Sequence, residues 1–137
     1  MTRINLINPL YLPDQHLNAE NHEIVCVFGY YRNHHVLTGK PHHLYSAKVF
    51  YQDKLLYLKN RHEVVKAEMR KRTFNPTITI QLSDYDPAKI NDWQPQRHHI
   101  DDIVERILLR IRQKPHFYRY YRQYKPYAFF KELLKNV

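Results

Sequence analysis

The chain has 137 residues, enough for one domain (residues 1–137) with a sizeable core. It carries 22 Lys and Arg against 13 Asp and Glu, a formal net charge of +9, together with 12 Tyr, 6 Phe and 1 Trp. Cations that neutralise phosphates and rings that stack on bases point to a polyanionic partner, while the two glycines leave no phosphate-cradling loop, so a nucleotide cofactor is not expected.

Only Cys26 is present, which excludes an internal disulfide and fits a reducing, cytoplasmic location. The N-terminus lacks the apolar stretch of a signal peptide, and no run approaches membrane-spanning length. An intracellular, soluble protein is expected.

Taken in order, Pro9 and Pro13 interrupt the chain after Leu6, and Asp14 is a suitable N-cap. Leu17, Ile24, Val27, Phe28 and Tyr31 share one helical face, predicting a helix from residue 14 into the high thirties, ending near Gly39-Lys40-Pro41. His16, Glu20 and Glu23 line one edge of that face. By spacing alone, the two glutamates are better explained as ordinary charges on a solvated face.

Residues 40–49 read as a connecting loop. Residues 53–71 repeat Leu55, Leu58, His62, Val65 and Met69 at helical spacing, with cations between them, predicting a basic amphipathic helix. Residues 73–96 are turn-rich, with Pro76, Pro87 and Pro95, and Thr77-Ile78-Thr79-Ile80 allows a short extended piece. Ile100, Ile103, Val104, Ile107, Leu108 and Ile111 form the clearest helical stripe, with Arg106, Arg110 and Lys114 stepping along its edge.

Six of the twelve residues 116–127 are aromatic and three are cationic. Burying those interleaved cations would be costly, so the segment reads as a nucleic-acid-facing surface. A last short helix, about residues 127–135, is expected to dock on the body. The fold class is therefore all-α: a compact domain of three main helices with long loops and a short C-terminal helix.

The adjacent pairs His34-His35, His42-His43 and His98-His99 cannot chelate from one helix, because neighbours point in different directions. Neither HExxH nor CxxC occurs, so no metal or other cofactor is expected.

With these residues laid out, the chain resembles the pyrimidine dimer DNA glycosylases, the phage-type endonuclease V family. The likeness lies in Met-Thr-Arg-Ile-Asn-Leu at 1–6, Asp14-Gln15-His16-Leu17, Ala19-Glu20, Glu23 and Val27-Phe28-Gly29. It resumes at Asp53-Lys54-Leu55, at Arg72-Thr73-Phe74-Asn75, and at Lys114-Pro115-His116-Phe117-Tyr118-Arg119-Tyr120-Tyr121.

The resemblance implies a metal-independent glycosylase with abasic-site lyase activity on double-stranded damaged DNA. The N-terminal amine of Thr2 would be the nucleophile and Glu23 the essential acidic group. Arg3, Gln15, His16 and His22 would sit near the lesion. Arg106, Arg110, Lys114, Phe117, Tyr118, Arg119, Tyr120 and Tyr121 would complete the DNA-binding surface. Positions 22 and 26 hold His and Cys, where the resemblance expects arginines. A non-catalytic DNA-binding protein on the same scaffold, or a metal-dependent nuclease, are the competing readings.

Overall fold

The computed structural model describes residues 4–32 and 45–137. Thr2, Arg3, the expected end of the first helix near Gly39, and the pairs His34-His35 and His42-His43 lie outside the described residues.

A short 3-10 turn, Pro9–Tyr11, is the first element of the described residues. Pro9 stands at its start, where a missing N–H costs nothing, and the Asn8 side chain caps it by accepting from the Leu10 amide. Five α-helices follow: α1 (Asp14–Arg32), α2 (Tyr45–Tyr51), α3 (Leu55–Lys71), α4 (Arg97–Gln113) and α5 (Tyr127–Leu133). Two two-residue strands, β1 (Arg119–Tyr120) and β2 (Gln123–Tyr124), pair as an antiparallel hairpin. The fold is all-α around three long helices, as the periodicity predicts.

The five apolar-stripe residues of 53–71 are all buried on α3. On α4, Ile103, Ile107 and Ile111 form the buried line, flanked by the half-buried Ile100, Val104 and Leu108. These residues build two cores. One joins Leu12, Leu17, Val65 and Met69 to the α4 isoleucines and to Phe130 and Leu134 of the C-terminal segment. The other joins Ile4 to Ile24, Val27 and Phe28 of α1 and to Leu55 and Leu58 of α3.

The expected loop at 40–49 needs correction: α2 occupies its second half. Ala47 and Tyr51 bury one side of this helix against α1 and α3, so tertiary packing stabilises a segment too short to signal helix by periodicity.

The solvated-edge reading of Glu20 and Glu23 also fails, because they are 0% and 5% exposed. Glu20 forms a two-point ion pair with Arg61 of α3, at 2.5 and 3.0 Å. Arg61 also donates to the backbone carbonyls of Asn5 and Ile7. A buried carboxylate is tolerable only with such partners.

At the other end of α3, Arg72 donates to Asp14, Glu68 and the Leu12 carbonyl, at 2.6–3.0 Å. The pairs Asp14–Arg72 and Glu20–Arg61 therefore tie α1 and α3 side by side, running in opposite directions. Among the described residues, no helix is long and apolar enough to cross a membrane.

Candidate nucleic-acid interface and active site

α1 carries His16, Ala19 and Glu23 at positions i, i+3 and i+7, one line along the helix. At 1.5 Å per residue, Glu23 stands about 10 Å beyond His16 on that line. A pocket of about 230 Å³ opens beside the first half of it. Its walls are Asn5, Gln15, His16 and Ala19 on one side and Arg106, Ile107 and Arg110 of α4 on the other, with Phe117 and Tyr118 closing the end. Six residues expected at the DNA interface, drawn from three separate stretches of sequence, thus line one concavity.

His16 is buried, and its ring packs against Tyr118 with centroids 5.1 Å apart. Burial, and then the positive charges of Arg106 and Arg110, push its pKa down to about 4, so it is neutral at pH 7. Its Nδ1 has no hydrogen-bond partner, and neither does the Nδ2 of the buried Asn5. Arg106 is half-buried and Arg110 exposed, so their charges lie toward the mouth.

Gln15 behaves differently from a free DNA contact. Its amide nitrogen donates to the Phe117 carbonyl at 2.7 Å, and its carbonyl accepts from the Arg119 amide at 2.9 Å. Both ends are used to hold the aromatic segment against α1. Asp14 completes that attachment by accepting from the backbone amides of Tyr121 and Arg122, at 3.1 and 2.7 Å. Those two residues form the hairpin turn with φ of 50° and 66°, a left-handed conformation that Tyr and Arg adopt at a cost. The Asp14 carboxylate offsets that cost.

The aromatic segment divides into two parts. Phe117 and Tyr118 line the pocket, Phe117 about half exposed and Tyr118 buried. The Nζ of Lys114 lies 5.1 Å from the Phe117 ring centroid. Tyr120 and Tyr121 instead flank the Arg72 guanidinium, both at 4.7 Å, and bond through their hydroxyls to the Leu10 carbonyl and Glu68. Neither lines the pocket. Arg119 is exposed beside the Tyr124 ring. Arg122 is exposed as well, but its guanidinium is engaged within the protein: it donates to the carbonyls of Arg72 and Thr73 and lies over Phe74.

His22 is exposed and its Nε2 lies 3.5 Å from the Cys26 sulfur, one turn on. Both stand on the open edge of α1, next to Glu23. A second cavity, about 340 Å³, lies between residues 4–6 and α4 and is lined mainly by Ile4, Leu6, Phe50, Tyr51, Trp93 and Ile103. It holds none of the expected site residues. Among the described residues, no group of three or more His, Cys, Asp or Glu side chains gathers at metal-binding distance.

Sequence reasoning missed Asn5 and Arg61. Arg61 carries no local signal, since its contacts span 41 to 56 residues, and Asn5 lay unremarked within the 1–6 stretch.

The family model for pyrimidine dimer DNA glycosylases matches residues 1–82, which hold the N-terminal segment, α1, α2 and α3. The match stops short of α4 and the hairpin, whose basic and aromatic residues are joined to it by the pocket geometry. With more than half of its length matched, this chain belongs to the pyrimidine dimer DNA glycosylase family.

Proposed function

We propose that the protein, acting as a single-domain monomer, cleaves the glycosidic bond of a damaged pyrimidine, one base of a UV-induced pyrimidine dimer, in double-stranded DNA and then cleaves the strand, without a metal. The carrying observation is the pocket that unites Gln15, His16, Arg106, Arg110, Phe117 and Tyr118 beside the helix bearing the buried Glu23.

Once Met1 is removed, Thr2 presents an α-amino group with an ordinary pKa of about 7.7–8.0, so a useful fraction is unprotonated near neutrality. A cation close to such an amine would favour its neutral form further. Its nitrogen attacks C1′ of the damaged nucleotide, and the N-glycosidic bond breaks with its electron pair leaving on the base, which takes up a proton. Loss of the amine proton and opening of the sugar give an imine between Thr2 and C1′.

Removal of a C2′ proton then expels the 3′ phosphate by β-elimination, and water hydrolyses the imine to regenerate the amine. Glu23 stabilises the cationic sugar as it forms and assists the proton transfers. Arg3 and His22 sit beside the lesion. Arg106, Arg110, Lys114 and Arg119 hold phosphates, and Phe117 offers a stacking face for exposed bases. Tyr118, Tyr120 and Tyr121 support that surface from behind.

Borohydride reduction of the imine tests the reading. Wild-type protein with a verified Thr2 terminus should form a covalent complex with UV-irradiated or abasic duplex DNA. Retention of Met1, which converts the amine to an amide, and Glu23→Gln should each abolish turnover. Unchanged strand cleavage in both variants would sink the proposal, and salt-sensitive binding without trapping would identify a non-catalytic DNA-binding protein.

A further inference from the structure

Asn5 is 2% exposed, lines the pocket, and leaves its Nδ2 without a partner. A buried, unpaired amide donor carries a desolvation penalty that most protein sites avoid. Its position is not loose, because Arg61 binds the Asn5 carbonyl from behind. Beside it His16 is buried with an equally unpartnered Nδ1. The floor of the pocket is thus polar, neutral and unsatisfied, while Arg106 and Arg110 supply two positive charges along its wall. Their field reaches the floor, since both contribute to the depressed pKa of His16.

A neutral donor beneath two guanidinium groups suits an anionic oxygen: the charges draw it in and the floor fixes its orientation. A phosphodiester also fits comfortably within about 230 Å³. We propose that Asn5 is a DNA-contacting residue, its carboxamide N–H donating to a non-bridging oxygen of one backbone phosphate drawn between Arg106 and Arg110. A turn about the broad terminal torsion of Asn5, part of what is proposed, would aim the donor at the lumen. The inference rests on the reading that this pocket receives damaged DNA, and adds a residue on the N-terminal segment to the phosphate-binding groups of α4.

The test measures binding to a duplex carrying an uncleavable abasic analogue, with each phosphate near the lesion replaced in turn by a neutral methylphosphonate. Asn5→Ala should weaken binding about tenfold, the scale of a hydrogen bond to a charged group. At one phosphate the methylphosphonate and the substitution should be non-additive, since each removes the same contact. Asn5→Ser, which keeps a short donor, should recover part of the loss.

Removing an unsatisfied group should leave the melting temperature of Asn5→Ala equal or higher, which a packing residue would not do. Unchanged affinity, additivity at every phosphate, or a lowered melting temperature would each overturn the inference. So would coupling to a base analogue lacking a carbonyl, which would make the base the ligand. Because the duplex is uncleavable, failure of wild-type imine trapping would overturn the lyase reading and leave this measurement standing.

Discussion

Arg61 and Arg72 are two buried arginines on the same face of one helix region, about three turns apart, yet they organise different parts of the molecule. Arg61 joins Glu20 of α1 to the carbonyls of Asn5 and Ile7. Arg72 joins Asp14 and Glu68 to carbonyls of the Pro9–Tyr11 turn region and is flanked by the rings of Tyr120 and Tyr121. The first holds the segment leading back to Thr2 against the helix that bears Glu23. The second holds the aromatic hairpin. Under the proposed mechanism, one device serves the reacting groups and the other the DNA-facing surface.

Removing each guanidinium in turn separates the two roles. Arg61→Met and Arg72→Met should each lower stability by about 3–5 kcal/mol in urea unfolding, because each leaves a buried carboxylate unpaired. Their functional effects should separate. At saturating abasic DNA, under conditions where both variants remain folded, Arg61→Met should slow imine trapping about 100-fold, the cost of a small misplacement of reacting groups. Arg72→Met should instead weaken DNA binding and leave the trapping rate of the bound complex nearer to wild type. Equal trapping rates in the two variants would show that the two arginines do not divide the labour in this way.

A third link between the helices sharpens the picture through pH. His62, next to Arg61, bonds through Nε2 to the Asn21 side chain at 2.8 Å. Burial, and then Lys66, push its pKa down to about 4, as burial does for His16. Both rings are neutral in the folded protein and titrate near 6.5 when unfolded. Between pH 6.5 and 4 the unfolded chain therefore binds more protons. Stability is full above 6.5 and declines as the pH falls, by about 1–2 kcal/mol for each histidine at pH 5.

Unfolding in that window should take up about two protons, and His62→Gln should remove roughly half of the slope. Glu63, hydrogen-bonded by Lys59 and Lys66 and held near a pKa of about 2, adds a second decline only as the pH falls from about 4.5 toward 2.

The two arginine networks also mark where sequence reasoning stops. Leu55, Leu58, His62, Val65 and Met69 were readable because a buried helical face repeats with the pitch of the helix. Glu20 was not, because its burial depends on a guanidinium 41 residues away, and helix spacing alone gives a carboxylate no address. The hairpin turn at Tyr121-Arg122 lacks the Gly or Asn that such turns favour, and Asp14, more than a hundred residues earlier, supplies the compensation. The basic stripe Arg106–Arg110 and the residues Gln15-His16 were visible separately. Their convergence on one pocket needed the packing of α4 against α1 and the N-terminal segment. Asn5 lay within the 1–6 stretch that carries the family likeness, but as a neutral polar residue it was not singled out, because its meaning lies in its lack of a partner.

Gln15 provides the smallest and most discriminating test, because its place beside the pocket suggests direct DNA contact while its hydrogen bonds indicate a structural hold. Gln15→Ala removes the bonds to Phe117 and Arg119, each worth about 0.5–1.5 kcal/mol net. The expected result is a modest loss of global stability and a few-fold loss of DNA affinity, accompanied by faster hydrogen exchange at the Arg119 amide in free protein. Gln15→Glu should be worse for binding, since a carboxylate would face the Phe117 carbonyl and add negative charge beside Arg106 and Arg110. If affinity falls in Gln15→Ala while exchange at Arg119 is unchanged, Gln15 acts on DNA directly. In that case the hairpin is held chiefly by Asp14 and Arg72.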